Sequence, residues 1–80
     1  MHIQTHSTTL TDQVTHALTH LLSEKTNPEN LYQVVIEAVE RPLLKTILNH
    51  TEGNQSLAAR MLGISRSTLR KKIEHLHITD

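Results

Sequence analysis

The chain has 80 residues, of which 36% are hydrophobic, 1% aromatic and 20% charged, and that length confines it to one small domain. Cys, Phe and Trp are absent, which excludes disulfide scaffolds, cysteine zinc sites and thiol catalysis and leaves Leu, Ile, Val, Met and Ala to build a core. Net charge is zero, yet residues 1–53 sum to −3 and residues 54–78 to +4, so a basic block stands in a neutral chain and points to an anionic partner.

Residues 1–9 are polar and aperiodic and read as a flexible tail or short arm. Thr9 or Thr11 then caps a helix whose apolar positions Leu10, Val14, Leu18, Leu21 and Leu22 recur at helical spacing, ending near Lys25. Asn and Pro make residues 26–30 a loop, with Asn30 as the next N-cap. The second helix is expected over Leu31 to His50. Its apolar positions, among them Val34, Val35, Ala38, Val39, Leu43, Leu44, Ile47 and Leu48, occupy more than one stripe. A helix apolar on several sides is covered on several sides, and in so short a chain another subunit is the natural cover. Pro42 inside this helix favours a kink, and Gly53 supplies its C′ stop. No uninterrupted apolar run exceeds three residues, so no segment reads as a membrane span. Nor does the N-terminus read as a secretory signal, and the expected location is cytoplasmic.

The third helix is expected over Gln55 to Leu62 behind an Asn54 N-cap, and the fourth over Arg66 to Leu76 behind Ser65. Two helices joined by a short turn containing Gly63 form a helix-turn-helix. Ala59 is small where the helices approach, Gly63 supports the positive φ of the turn, and Ile64, Ala58, Leu62 and Leu69 fill the angle. Leu69, Ile73 and Leu76 make the buried stripe of the fourth helix. Lys71 lies nearly opposite that stripe, with Arg70 on one flank and Thr68 and Lys72 on the other. Arg66 and Ser67 occupy the first turn. A cationic leading half is what a recognition helix carries into a major groove, where Arg and Lys donate to guanine O6 and N7. Thr68 and Ser67 are suited to phosphate, as are Asn54 and Ser56 at a helix start.

The stretch from Thr51 to Lys72 (TEGNQSLAARMLGISRSTLRKK) closely resembles the C-terminal half of the Fis family, named for factor for inversion stimulation. Leu31-Tyr32 and Val39-Glu40-Arg41-Pro42-Leu43-Leu44 resemble that family's second helix. The same helix-turn-helix closes the NtrC-type activators, but their ATPase domain has no counterpart in these residues, and a start at Met1 leads us to expect a free-standing Fis-like protein. The resemblance implies an all-α subunit of four helices in an intertwined homodimer. Residues 10–50 would then dimerise and residues 54–77 bind DNA, within a single domain over 10–80. It further implies a nucleoid-associated regulator that binds degenerate, A·T-rich double-stranded DNA and bends it, so that deformability is read at positions the protein does not touch. By the same resemblance, Arg66 and Lys71 match base-contacting positions, and Asn54, Ser56, Thr68, Arg70 and Lys72 match positions that hold the backbone. Ser65 stands where an Asn helps contact bases. Glu52 and Leu57 replace basic residues, and Glu74 and His75 replace a pair of lysines, so weaker non-specific binding and a smaller bend are expected. The short N-terminus makes recombinase stimulation doubtful.

No metal, cofactor or catalytic site is expected. His16 and His20 have a spacing that could hold zinc, yet both point away from the apolar stripe and lack a third ligand nearby. Glu37 and Glu40 read as a solvated edge rather than an acid/base pair. His75 and His77 end the recognition helix, where cations complement the dipole, so their protonation is expected to strengthen DNA binding at mildly acid pH. The rival reading is a helical adaptor or antagonist that pairs with a Fis-like partner and no longer binds DNA. The basic face of Arg66, Arg70, Lys71 and Lys72 argues against it.

Overall fold

The computed structural model describes residues 3–23 and 29–79, with side chains from residue 9 onward. It contains four helices, α1 (Ile3–Ser23), α2 (Leu31–His50), α3 (Gln55–Leu62) and α4 (Arg66–Leu76), and the described residues include no strand. The first helix begins at Ile3 rather than after Thr9. Its polar leading residues are Gln, Thr, His and Ser, each of which costs a helix less than about 0.7 kcal/mol relative to Ala, and no Gly or Pro interrupts them. Thr9 and Thr11 accordingly sit inside the helix and do not cap it. The expected end near Lys25 and the loop over residues 26–28 lie outside the described residues.

Asn30 occupies the N-cap position of α2, but in a left-handed conformation (φ 59°, ψ 31°) with no side-chain cap bond. Only its carbonyl serves the helix, accepting from the Val34 N–H at 3.0 Å. The helix continues through Pro42 to His50, forgoing the bond that residue would donate to the Ala38 carbonyl. It ends in a Schellman motif. The Gly53 N–H reaches the Leu48 carbonyl at 2.9 Å and the Glu52 N–H reaches Asn49 at 3.2 Å. The residue at C′ is therefore Glu52, with φ 55°, while Gly53 follows it at φ 82°. The expectation that Gly53 would be C′ is displaced by one residue.

The core is formed by Leu44 and Leu48 of α2, Ala58 and Ala59 of α3, and Leu69 and Leu76 of α4, all buried. Ile47, Leu62, Ile64, Ile73 and Ile78 pack around it. Ala58 and Leu69 are fully buried, so the small residue on α3 lets the large one on α4 sit between the helices. One stripe of α2 faces this unit. It runs through Glu37, Glu40, Arg41, Leu44, Ile47 and Leu48, spaced three and four apart, polar upstream and apolar downstream. A second stripe, Val34, Val35, Ala38 and Val39, lines a wholly apolar groove with Val14, Ala17, Leu18 and Leu21 of α1. Among the described residues, α1 brings no Cα within 8 Å of another helix. None of these helices is long and apolar enough to cross a membrane.

Candidate nucleic-acid interface

The turn of the helix-turn-helix is fixed by three local devices. Asn54 caps α3 through its Oδ1, which accepts from the Leu57 N–H at 3.0 Å. Gly63 ends α3 at φ 76°, and the Ile64 N–H then bonds the Ala59 carbonyl at 3.0 Å. That bond folds Ile64 back onto the core. Ser65 restarts the chain as the N-cap of α4, its Oγ accepting from the Thr68 N–H at 3.1 Å. The same hydroxyl donates to Thr68 Oγ1 at 2.8 Å and lies 3.2 Å from Ser67 Oγ. Ser65 is thus committed to local bonds, whereas Thr68 accepts and keeps its own proton to donate elsewhere.

Asn54, Ser56, Ser65, Arg66, Ser67, Thr68, Arg70 and Lys71 are all exposed. Among the described residues, Arg66, Arg70 and Lys71 form no ion pair. Lys71 and Arg70 share a shallow depression with Ser67 and Glu74, so a carboxylate stands within the cationic face. That face is opposite Leu69 and Leu76, which are 0% and 1% exposed.

Lys72 is placed differently. Its Nζ lies 2.7 Å from Glu40 Oε2 of α2, and its side chain is 36% exposed against 25% for Glu40. Next to it, His75 Nε2 lies 3.2 Å from Glu37 Oε2. Arg41 Nη1 donates to the Leu76 carbonyl at the end of α4. The structure therefore brings the acidic part of α2 against the basic helix, and the charge segregation along the sequence is partly closed in space. Glu37 and Glu40 are not a free solvated edge. The Glu37 carboxyl is held below the ordinary carboxylate pKa of 4.5, first by the hydrogen bond from Gln33 and then by that of His75, with the positive charge of Arg41 adding to it. His75 turns towards α2 rather than towards the recognition face. His77 stands in the left-handed conformation after α4, with φ 54°.

From sequence, Glu37 and Glu40 read as a solvated edge and Arg41 had no role, so the contacts of all three with α4 were not foreseen. The signal was present in the spacing. Lys72 falls three residues after Leu69 and four before Leu76, on the stripe that faces α2.

Residues 35–76 match the family model described as bacterial regulatory protein, Fis family. The chain belongs to the Fis family. A curated protein of Ralstonia nicotianae, described as a Fis-like DNA-binding protein, is 56% identical to this Fis-family chain over 48 residues. Those residues are 60% of the present chain and 62% of the relative, so the match spans less than two thirds of that protein's length. The matched family segment starts inside α2 and ends at Leu76. It includes the α2–α4 contacts as well as the helix-turn-helix and leaves α1 outside.

Proposed function

We propose that this Fis-family protein is a regulator that binds double-stranded DNA by laying α4 in the major groove. The observation that carries this reading is the set of exposed cations without ion-pair partners on α4, Lys71 opposite the buried stripe, Arg70 on its flank and Arg66 in the first turn. Arg66 and Lys71 read base edges. Asn54, Ser56, Thr68 and Arg70 hold phosphates, with Ser65 beside them as the cap of the recognition helix.

The working form is a homodimer. Val34 and Val39 of α2 are 54% and 47% exposed, and the apolar groove they share with α1 is where a second copy seats. In this proposal the dimerising half spans residues 10–50, the DNA-binding half spans 54–77, and the protein is cytoplasmic and associated with the nucleoid. Two recognition helices on one compact dimer bend the duplex. Degenerate, A·T-rich sites, where the minor groove narrows readily, are therefore favoured. Glu52, Leu57, Glu74 and His75 leave fewer cations to hold flanking DNA, so the bend is modest. Recombinase stimulation is not part of this proposal.

The test is fluorescence anisotropy of an A·T-rich duplex over a salt series. A dimer that neutralises about six phosphates gives a slope near −5 in log affinity against log salt. Absence of binding at low salt in the unmodified protein would instead support the adaptor reading.

A further inference from the structure

The contact between α2 and α4 combines an apolar centre with a polar margin. Leu44 and Leu48 meet Leu69 and Leu76 in the core. Upstream on the same α2 stripe, Glu40 takes Lys72 at 2.7 Å and Glu37 takes His75 at 3.2 Å. On α4 these two partners are three apart, as they are on α2, so the pairs lie side by side in opposite chain directions. Arg41 closes the end of the helix through the Leu76 carbonyl. Partly exposed ion pairs of this kind add little to stability. What such a pair can add to the apolar packing is orientation, since an ammonium that must reach a carboxylate on the neighbouring helix disfavours other rotations of one helix on the other. Lys72 is also poorly placed for phosphate. A carboxylate sits against its ammonium, and it lies on the side of α4 that faces α2, three residues or about 60° around the helix from the buried Leu69.

We propose that Lys72 and Glu40 are positioning residues for DNA recognition: their ion pair sets the angle at which α4 is presented from α2, and Lys72 does not hold a phosphate. This rests on the DNA-binding reading above. It departs from the family-based expectation for Lys72, and it gives one of the α2–α4 contacts a part in how the recognition helix is presented.

The experiment compares the unmodified full chain with Lys72→Glu, Lys72→Gln, Arg70→Gln and the exchanged pair Glu40→Lys/Lys72→Glu. For each, affinity over a salt series is measured on an A·T-rich duplex and on a random duplex, and helicity is recorded. Arg70→Gln should flatten the salt slope by about 2 per dimer, one phosphate per subunit. Lys72→Gln should leave the slope unchanged and reduce the preference between the two duplexes by roughly fivefold, the size of a typical coupled contact. Lys72→Glu places two carboxylates together and should lose preference further. The exchanged pair, which keeps the net charge, should recover both slope and preference. Should Lys72→Glu fail to fold, Lys72→Gln and the exchanged pair still decide the matter. A slope flattened by about 2 in Lys72→Gln and in the exchanged pair would make Lys72 a phosphate ligand and overturn the proposal. Equal preference in every Lys72 variant would overturn it as well. Failure of the unmodified protein to bind any duplex is a separate result, and it removes the DNA-binding reading itself.

Discussion

Arg41 of α2 donates to the main-chain carbonyl of Leu76, the last residue of α4. The last carbonyls of a helix have no partner within it and carry the negative end of its dipole. A guanidinium satisfies one of them and meets that dipole at once, while Leu76 itself is buried beside Leu44. Replacing Arg41 with Met keeps much of the side-chain bulk and removes the donor. The expected loss is about 1–2 kcal/mol of unfolding free energy, read from urea denaturation. Arg41→Lys should recover part of it, because the charge remains but the reach and geometry of the guanidinium do not.

The helix ends give a second prediction. Glu52 is held at φ 55° in the C′ position of α2, a conformation that costs a residue with a Cβ about 1–2 kcal/mol. Glu52→Gly should therefore stabilise the protein by about 0.5–1 kcal/mol, the strain relieved exceeding the added unfolded-state entropy. Gly63→Ala should do the reverse, costing about 1–2 kcal/mol. A Cβ at Gly63 would meet nothing within 4 Å, so the loss comes from the backbone at φ 76° and not from a clash. Gly63→Asn, which tolerates that region better, should lie between the two. Thermal denaturation of the three variants checks the order.

These ends also show how far the sequence carries. Asn54 and Ser65 are legible as caps because a cap is made by bonds within three residues, to Leu57 and Thr68. The stripe Leu69, Ile73, Leu76 is legible for the same reason, since periodicity is local. The start of α1 is not, because Thr9 has the chemistry of a cap while no Gly or Pro in residues 3–9 stops the helix from continuing upstream of it. Lys72 is the clearest limit at the site. Its type and its place in the basic run match a phosphate contact, and what redirects it is Glu40, 32 residues away in sequence. A pairing that depends on how α2 crosses α4 has no local signature, although the spacing that puts Lys72 on the α2-facing stripe could have raised it. Glu52 shows the same limit on a smaller scale: a neighbouring glycine drew the assignment one residue too far.

Stability in acid should depend on Glu37. Its folded-state pKa is depressed below 4.5 by Gln33 and His75, so the carboxylate binds its proton more weakly in the folded protein than in the unfolded chain. The stabilisation it brings is complete above about pH 4.5, the unfolded value, and is lost as pH falls through the lower folded value. Glu37→Gln removes that contribution. Unfolding midpoints of the two proteins should differ near neutral pH and converge as the solution is acidified below 4.5. A difference that persists unchanged into strong acid would show that Glu37 acts through packing and not through charge.

Glu74 is the one acidic side chain beside Arg70 and Lys71 in the depression on the exposed face of α4. Against a duplex it opposes the two cations, and reversing it changes the charge of a dimer by four. Glu74→Lys should raise affinity by roughly tenfold at low salt and steepen the salt slope by about 1–2. Added phosphate contacts carry no sequence information, so the ratio of preferred to random duplex should fall as affinity rises. An unchanged slope would place residue 74 outside the interface.

Contacts to bases and contacts to phosphates can be separated by their selectivity. Arg66 and Lys71 are exposed without ion-pair partners at the leading half of α4, and the proposal gives them base edges. Arg70, on the flank, is given a phosphate. Arg70→Ala should then weaken every duplex alike and flatten the salt slope by about 2 for a dimer. Arg66→Ala and Lys71→Ala should weaken the preferred duplex by about 1–3 kcal/mol per lost contact and the random duplex much less. None of the three side chains contributes to the core, so helicity and unfolding midpoint should stay near those of the unmodified protein, and a loss of binding is then a loss at the interface. Should Arg66 and Lys71 behave as Arg70 does, α4 holds the duplex by its backbone alone, and any residual preference comes from DNA shape.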